Sequence, residues 1–245
     1  MIAVALGSYL FGNINFATLI TKLKKRDIRS MGSGNPGTMN MLRNFGIPLG
    51  VLTLFLDIVK GALPCVIGWF LIGGIGFNTG GAAIRFAGIF LTGGNRLGLY
   101  IAGFSVILGH VFPVFYKFKG GKGIASAIGV CAAAQPLLAP MMLAAGIIFI
   151  LITKMGSLGS FVIISIPLGV EGFLVSQALN QGSLSAPSAV GSLALIFLLF
   201  SLTVFTHRKN IYKLFSGAES KTVLLGKNKS VKKARAAEAD KTTGA

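Results

Sequence analysis

Six long apolar stretches dominate this chain, at about 2–20, 47–74, 99–116, 124–152, 158–178 and 188–206. Runs of roughly 20 apolar residues match the hydrocarbon thickness of a bilayer. Inside that layer every backbone N–H and C=O must find its partner within the chain, and a helix does this locally. The runs therefore predict an all-α, polytopic membrane helix bundle. Composition agrees, because 12% of the residues are charged and 53% hydrophobic, against about 25% charged in soluble domains. The first run, Ile2 to Ile20, has no basic leader before it, and its basic residues follow it. It reads as a retained first helix, not as a cleaved signal.

The formal net charge is +17, from 23 Lys and Arg against six acids. Such a balance can mark a nucleic-acid binder, but here the positive charges cluster at the ends of apolar runs. Positive-inside bias accounts for that placement, and no nucleic-acid partner is expected. Only Asp57 and Glu171 lie within apolar runs, so no carboxylate-rich metal site and no cofactor is expected. Cys65 and Cys131 sit in separate runs without ligand spacing and read as small buried apolar residues.

Charge also predicts topology. Five positive charges fall in 22–29, three in 117–122 and ten after His207. If all three groups face the cytoplasm, and Lys154 with them, parity requires the run 124–152 to cross twice. Gln135, Pro136 and Pro140 near its middle provide a turn. The expectation is about seven transmembrane helices, with the N-terminus outside and the C-terminus cytoplasmic. The membrane domain would span 1–218, followed by a basic, disordered tail over 219–245. The glycine-rich stretch 73–98, with Arg85 and Arg96, would be an outer connection, with an interfacial or re-entrant helix around 83–92.

This topology gathers three polar segments on one face. In "GSGNPGTMNMLRN", Gly32, Gly34 and Gly37 allow the backbone N–H groups of a tight loop to form an anion-binding nest. Ser33, Asn35 and Asn40 add neutral donors, and Arg43 adds a planar fork suited to phosphate. The alternative is a plain turn between helices, which explains the glycines but not the density of donors. In "FKGGKGIAS", Lys119 and Lys122 flank Gly120, Gly121 and Gly123 ahead of an apolar helix, whose N-terminus favours anions. The spacing is not that of a P-loop, and lysines beside a span end are ordinary. In "THRKNIYKLF", His207 can serve as general base or as phosphate donor, with Arg208 and Asn210 beside it. The alternative there is a basic helix end resting on lipid headgroups. Ser157, after Lys154, can also reach a ligand at that face. His110 reads as a packed histidine, and Asp57 with Lys60, one helical turn apart, as a structural intramembrane pair.

Taken in order, these segments resemble the PlsY family of bacterial acyl-phosphate:glycerol-3-phosphate acyltransferases. The likeness rests on "GSGNPG…N..R" after the first run, "LDIVKG" in the second, "LGHVFPVFYKFKGGKGIA" at the third and "HRKNI..L..G.E.K" after the last. The resemblance implies a seven-span inner-membrane enzyme with its active site at the cytoplasmic face. Such an enzyme transfers a fatty acyl group from acyl phosphate to the 1-hydroxyl of glycerol 3-phosphate. The products would be lysophosphatidic acid and phosphate, in the first acylation step of phospholipid synthesis. By motif position, the family's functional residues would fall on Ser33, Arg43, Lys119 or Lys122, Ser157, His207 and Asn210.

The chain departs from the family pattern in places. Gly37-Thr38-Met39-Asn40 replaces a usual Gly-Ala-Thr-Asn, and Gly12-Asn13-Ile14-Asn15 replaces Gly-Ser-Ile-Pro. An activated acyl phosphate needs mainly orientation and charge compensation, and no metal or acyl-enzyme. A substrate phosphate oxygen can take the hydroxyl proton, with His207 only donating, and that route is preferred to a histidine base. The competing class is an anion transporter, whose site would lie near the midplane and not at one face.

Overall fold

A computed structural model of the chain describes residues 1–74, 96–182 and 184–216, apart from the Ser157 side chain. Arg85, the helix expected around 83–92 and the tail 219–245 lie outside the described residues. Among those described, the protein is all helical. The helices are α1 (Ile2–Gly12), α2 (Phe16–Leu23), α3 (Thr38–Phe45), α4 (Ile47–Trp69), α5 (Leu97–Val111), α6 (Ile124–Ala134), α7 (Leu138–Thr153), α8 (Gly156–Asn180) and α9 (Ala186–Phe215). Two 3-10 turns, Ile28–Ser30 and Val114–Tyr116, sit in the loops that follow α2 and α5. Five segments among the described residues are long and apolar enough to cross a membrane: Ile2–Leu23, Ile47–Ile72, Leu97–Tyr116, Leu158–Asn180 and Ala186–Phe215.

The run 124–152 divides as its sequence suggests. α6 ends at Ala134, Gln135 leaves helical geometry, and α7 begins at Leu138. Pro140 lies in the first turn of α7, where a missing N–H costs no helical bond. The first run does not stay whole. Read as one helix, it breaks at Asn13-Ile14-Asn15. Asn15 caps α2 by accepting the Thr18 N–H at 2.8 Å, and an extended N-cap residue cannot also continue α1. The first polar loop is helical in its second half, where Thr38–Phe45 forms α3, and the last apolar run, read as ending near 206, continues as α9 without interruption to Phe215.

Backbones approach closely through glycine, as small-residue packing in membranes requires. A Cβ at Gly12 would lie 2.2 Å from the Val106 carbonyl oxygen, and one at Gly109 would lie 2.1 Å from that of Tyr9, so α1 and α5 touch directly. Gly61 and Gly129 join α4 to α6 in the same way. The core between them holds Leu99, Tyr100, Val106, Ile164 and Leu199. Phe55, Ile152 and Phe197 point outward, at 60%, 76% and 68% exposure, as lipid-facing side chains do.

The buried acids are paired. Glu171 on α8 accepts from Arg96, Tyr100 and Gln135, which tie it to the start of α5 and the end of α6. Arg96, expected on an outer connection, is instead 6% exposed and ion-paired with Glu171. A carboxylate that deep must recruit a cation, because unpaired charge inside a membrane protein is costly. Asp57 and Lys60 form the expected pair at 2.9 Å.

Candidate active site

The first polar loop is built around Asn40. Its Nδ2 donates to the carbonyls of Ile28 (3.2 Å) and Met31 (2.9 Å), while its Oδ1 accepts from the Ser33 N–H (3.2 Å) and Asn44 Nδ2 (2.9 Å). Both amide hydrogens are thus spent within the loop, and Asn40 is 1% exposed. It shapes the loop and has no hydrogen left for a ligand. Gly32 (φ +55°) and Gly34 (φ +70°) take the left-handed turns that bring Ser33 back over Asn40. A Cβ at Gly32 would fall 2.4 Å from Asn40 Oδ1. From outside, Asn15 Nδ2 donates to the Pro36 carbonyl at 3.2 Å. At the loop's start, the Arg29 N–H donates to Asp27 Oδ1 at 2.9 Å, and this bond holds the Asp27 carboxyl below its usual range.

Ser33 is exposed, Asn35 and Gly37 are half-buried, and Arg43 stands half-buried on the last turn of α3. Gly37 is the N-cap of α3, so the first N–H groups of that helix open beside it. Thr38 Oγ1 is buried and has no hydrogen-bond partner among the described residues.

The second loop rests on the end of α5. Gly120 N–H donates to the Val111 carbonyl and Gly121 N–H to that of His110, each at 3.1 Å. Those two amides therefore serve the α5 C-terminus. The donors left for an anion are the opening N–H groups of α6, which starts after Gly123 at φ +82°. Both glycines are obligatory here: a Cβ on Gly120 would lie 2.0 Å from the His110 carbonyl oxygen, and one on Gly121 would lie 2.2 Å from His110 Nε2.

Helix α9 closes the site. Lys122 Nζ donates to Asn210 Oδ1 at 2.7 Å, and Thr206 Oγ1 donates to the Lys122 carbonyl at 3.2 Å. His207 is 2% exposed, with Nδ1 2.9 Å from the Thr203 carbonyl oxygen. A carbonyl only accepts, so Nδ1 carries a proton and donates it to Thr203. The Phe161 ring lies 5.3 Å from the His207 ring, which brings the start of α8 alongside. Ser157 lies one turn before Phe161 in that helix, and its side chain is outside the described residues.

Tyr116 links the two loops: the Arg29 guanidinium is 5.0 Å from its ring centroid and Lys22 Nζ is 6.0 Å away. Lys122, Asn210 and His207 thus meet in one place. Two further expected donors are exposed. Arg208 folds back on its own helix, donating to the Phe205 carbonyl at 2.9 Å with its guanidinium 4.2 Å from the Phe205 ring centroid. Lys119 is exposed on the loop surface. Sequence reasoning overlooked Asn15, Asn44, Tyr116 and Thr206. The i, i+4 pairing of Asn40 with Asn44 and the N-cap preference of Asn15 were the local signals among them.

Comparison with known proteins bears on this arrangement. Residues 2–217 match the sequence model of a family described as glycerol-3-phosphate acyltransferase. A glycerol-3-phosphate acyltransferase of Thermoanaerobacter pseudethanolicus is 38% identical over 221 residues, covering 90% of this chain and 94% of the relative. One from Finegoldia magna is 35% identical over 230 residues, covering 93% and 98%. The crystal structure of PlsY, an integral membrane glycerol 3-phosphate acyltransferase, in its glycerol 3-phosphate form superposes with a TM-score of 0.69 at 31% identity, covering 91% of this chain and 96% of that one. Its lysophosphatidic acid form gives a TM-score of 0.68 at 30% identity.

Proposed function

Since the chain belongs to the PlsY family of glycerol-3-phosphate acyltransferases, we propose that it transfers a fatty acyl group from acyl phosphate to the 1-hydroxyl of glycerol 3-phosphate. Lysophosphatidic acid and inorganic phosphate are the products, and the step is the first acylation in bacterial phospholipid synthesis. The observation that carries this reading is the 2.7 Å bond from Lys122 to Asn210, which closes the glycine-lysine loop onto α9 with His207 one turn away. It gathers a cation, an amide and an imidazole beside the open N-terminus of α6.

In this reading both substrates bring a phosphate to that place. Lys122, Arg43, Ser33 and the opening amides of α3 and α6 hold the two anions. The hydroxyl oxygen attacks the acyl carbonyl carbon, the bond from that carbon to the bridging oxygen breaks, and phosphate leaves with the electron pair. Lys122 and the α6 amides offset the charge growing on the leaving phosphate. A phosphate oxygen accepts the hydroxyl proton, and His207, protonated on both ring nitrogens in this reading, donates a hydrogen bond from Nε2 without acting as base. Holding the two reactants in line can supply about 7–11 kcal/mol of the barrier.

We place the site at the cytoplasmic face of the inner membrane, with seven crossings and the N-terminus outside. Counting α6 and α7 as short crossings satisfies the parity of the basic loops. The test is phosphate release by the purified protein from a long-chain acyl phosphate, with and without glycerol 3-phosphate. Release that depends on glycerol 3-phosphate, with lysophosphatidic acid formed in equal amount, is expected. Equal release without glycerol 3-phosphate would overturn the proposal.

A further inference from the structure

Lys60 lies in the middle of α4 and is 1% exposed. Its ammonium hydrogen-bonds to the Ile14 carbonyl at 2.7 Å and to His110 Nδ1 at 2.8 Å, and it is ion-paired with Asp57 Oδ1 at 2.9 Å. Asp57 balances its charge. The other two bonds reach toward the two polar loops. Ile14 is the middle residue of the break between α1 and α2, where no helical N–H reaches its carbonyl. Lys60 supplies that missing donor. The next residue, Asn15, donates to the Pro36 carbonyl of the first loop at 3.2 Å.

The other arm runs through His110, next to last in α5. Because Lys60 donates to Nδ1, the imidazole carries its own proton on Nε2. Gly121 sits against that edge of the ring and donates its N–H to the His110 carbonyl at 3.1 Å. Gly121 is thus held by a backbone bond and by the packed ring, and a rotated or withdrawn His110 ring would remove the second support at the residue preceding Lys122.

We infer that Lys60 is a positioning residue that fixes both polar loops relative to each other, holding the first through Ile14 and Asn15 and the second through His110. One ammonium, sealed from water, sets the spacing between two sites for phosphate. This rests on the phosphate-site reading proposed above. A cation that merely glues α1, α4 and α5 would need no bond at the α1–α2 break and none to the residue beneath Gly121.

The test uses hydrogen–deuterium exchange on the full-length protein in detergent micelles, together with steady-state kinetics. In Lys60→Met, amides of 31–37 and of 118–123 should both exchange about tenfold faster or more, the scale of losing a hydrogen bond to a charged group. Those of α7 and α8 should not change. Asn15→Ala should loosen only 31–37, and His110→Phe only 118–123. If Lys60→Met fails to fold, these two variants decide the matter, and either one leaving its own loop unchanged overturns the inference. Kinetically, Lys60→Met should raise KM for both substrates about tenfold, while each single-arm variant raises one of the two. Loosening of one loop alone in Lys60→Met, or a fall in kcat with both KM values unchanged, would defeat it. A wild-type protein that releases no phosphate would defeat the phosphate-site reading, and the exchange data would still judge the anchoring.

Discussion

Lys122 Nζ donates a 2.7 Å hydrogen bond to Asn210 Oδ1 across 88 residues of sequence. The bond joins the loop before α6 to the C-terminal extension of α9, and it orients a flexible ammonium that would otherwise sweep a wide arc. Lys122→Ala should lower turnover by about a hundredfold to a thousandfold, the usual loss of one preorganised charge donor. Asn210→Ala should cost less, about tenfold, because the ammonium remains. In the double variant the loss should be no greater than in Lys122→Ala alone, since Asn210 would act through the lysine. Phosphate release measures all three, and an unchanged melting temperature in detergent checks the fold. Fully multiplicative losses would mean that Asn210 acts independently.

His207 is held by its bond to the Thr203 carbonyl and by the Phe161 ring, so its ring orientation is set before any substrate arrives. Glutamine at this position can still donate through its amide but cannot take up a proton. His207→Gln should therefore slow the reaction about tenfold and leave the shape of the pH–rate profile unchanged. Loss of a profile limb near pH 6–7, the ordinary range of an imidazole, would make His207 the base.

The sequence carried different parts of this architecture with different clarity. Apolar runs disclosed the helices, since no other element satisfies its own backbone in lipid. The pair Asp57 and Lys60 was legible because two opposite charges one turn apart in an apolar helix each need a partner, and each is the other's nearest. Lys60's further bonds to Ile14 and His110 were not legible, because they depend on how α1 and α5 cross α4. The break at Asn13–Asn15 was hidden by its apolar surroundings, although Asn15 is a strong N-cap residue. Asn40 shows the sharper limit. Its type suits a phosphate, yet only coordinates reveal that its amide is already spent on Ile28 and Met31. Gly120 and Gly121 show the same thing from the packing side: glycine density marks close approach, and both glycines lie against His110.

Far from the proposed chemistry, Glu171 binds Arg96, Tyr100 and Gln135. α5 is 15 residues long, so Arg96 at its start stands about 22 Å from the loop at its end. Glu171→Ala leaves a buried guanidinium without its counter-ion and should destabilise the fold by about 3–5 kcal/mol. A clear drop in the thermal transition in detergent is the measure. The pair Arg96→Met with Glu171→Met should recover most of that loss, because apolar side chains of similar size avoid the desolvation of both charges. At low temperature kcat should stay near the wild-type value in each. A kcat loss as large as that of Lys122→Ala would show that the cluster reaches the active site.

Gly61 on α4 faces Ser126 on α6, and a Cβ there would lie 2.0 Å from the Ser126 carbonyl oxygen. Since that neighbour is backbone, no side chain can swing aside, and the start of α6 has to move. Ser126 is in the first turn of α6, four residues after Lys122. Gly61→Ala should therefore act twice, destabilising the bundle by about 1–3 kcal/mol through overpacking and raising KM by shifting the α6 amides. Gly7→Ala and Gly169→Ala are the matched controls, because nothing lies within 4 Å of a Cβ at either position. Both are helical, and alanine there should leave KM unchanged and raise stability by up to about 1 kcal/mol. If Gly61→Ala lowered stability with no change in KM, the contact between α4 and α6 would be structural alone. The anion site would then have to lie away from the α6 N-terminus.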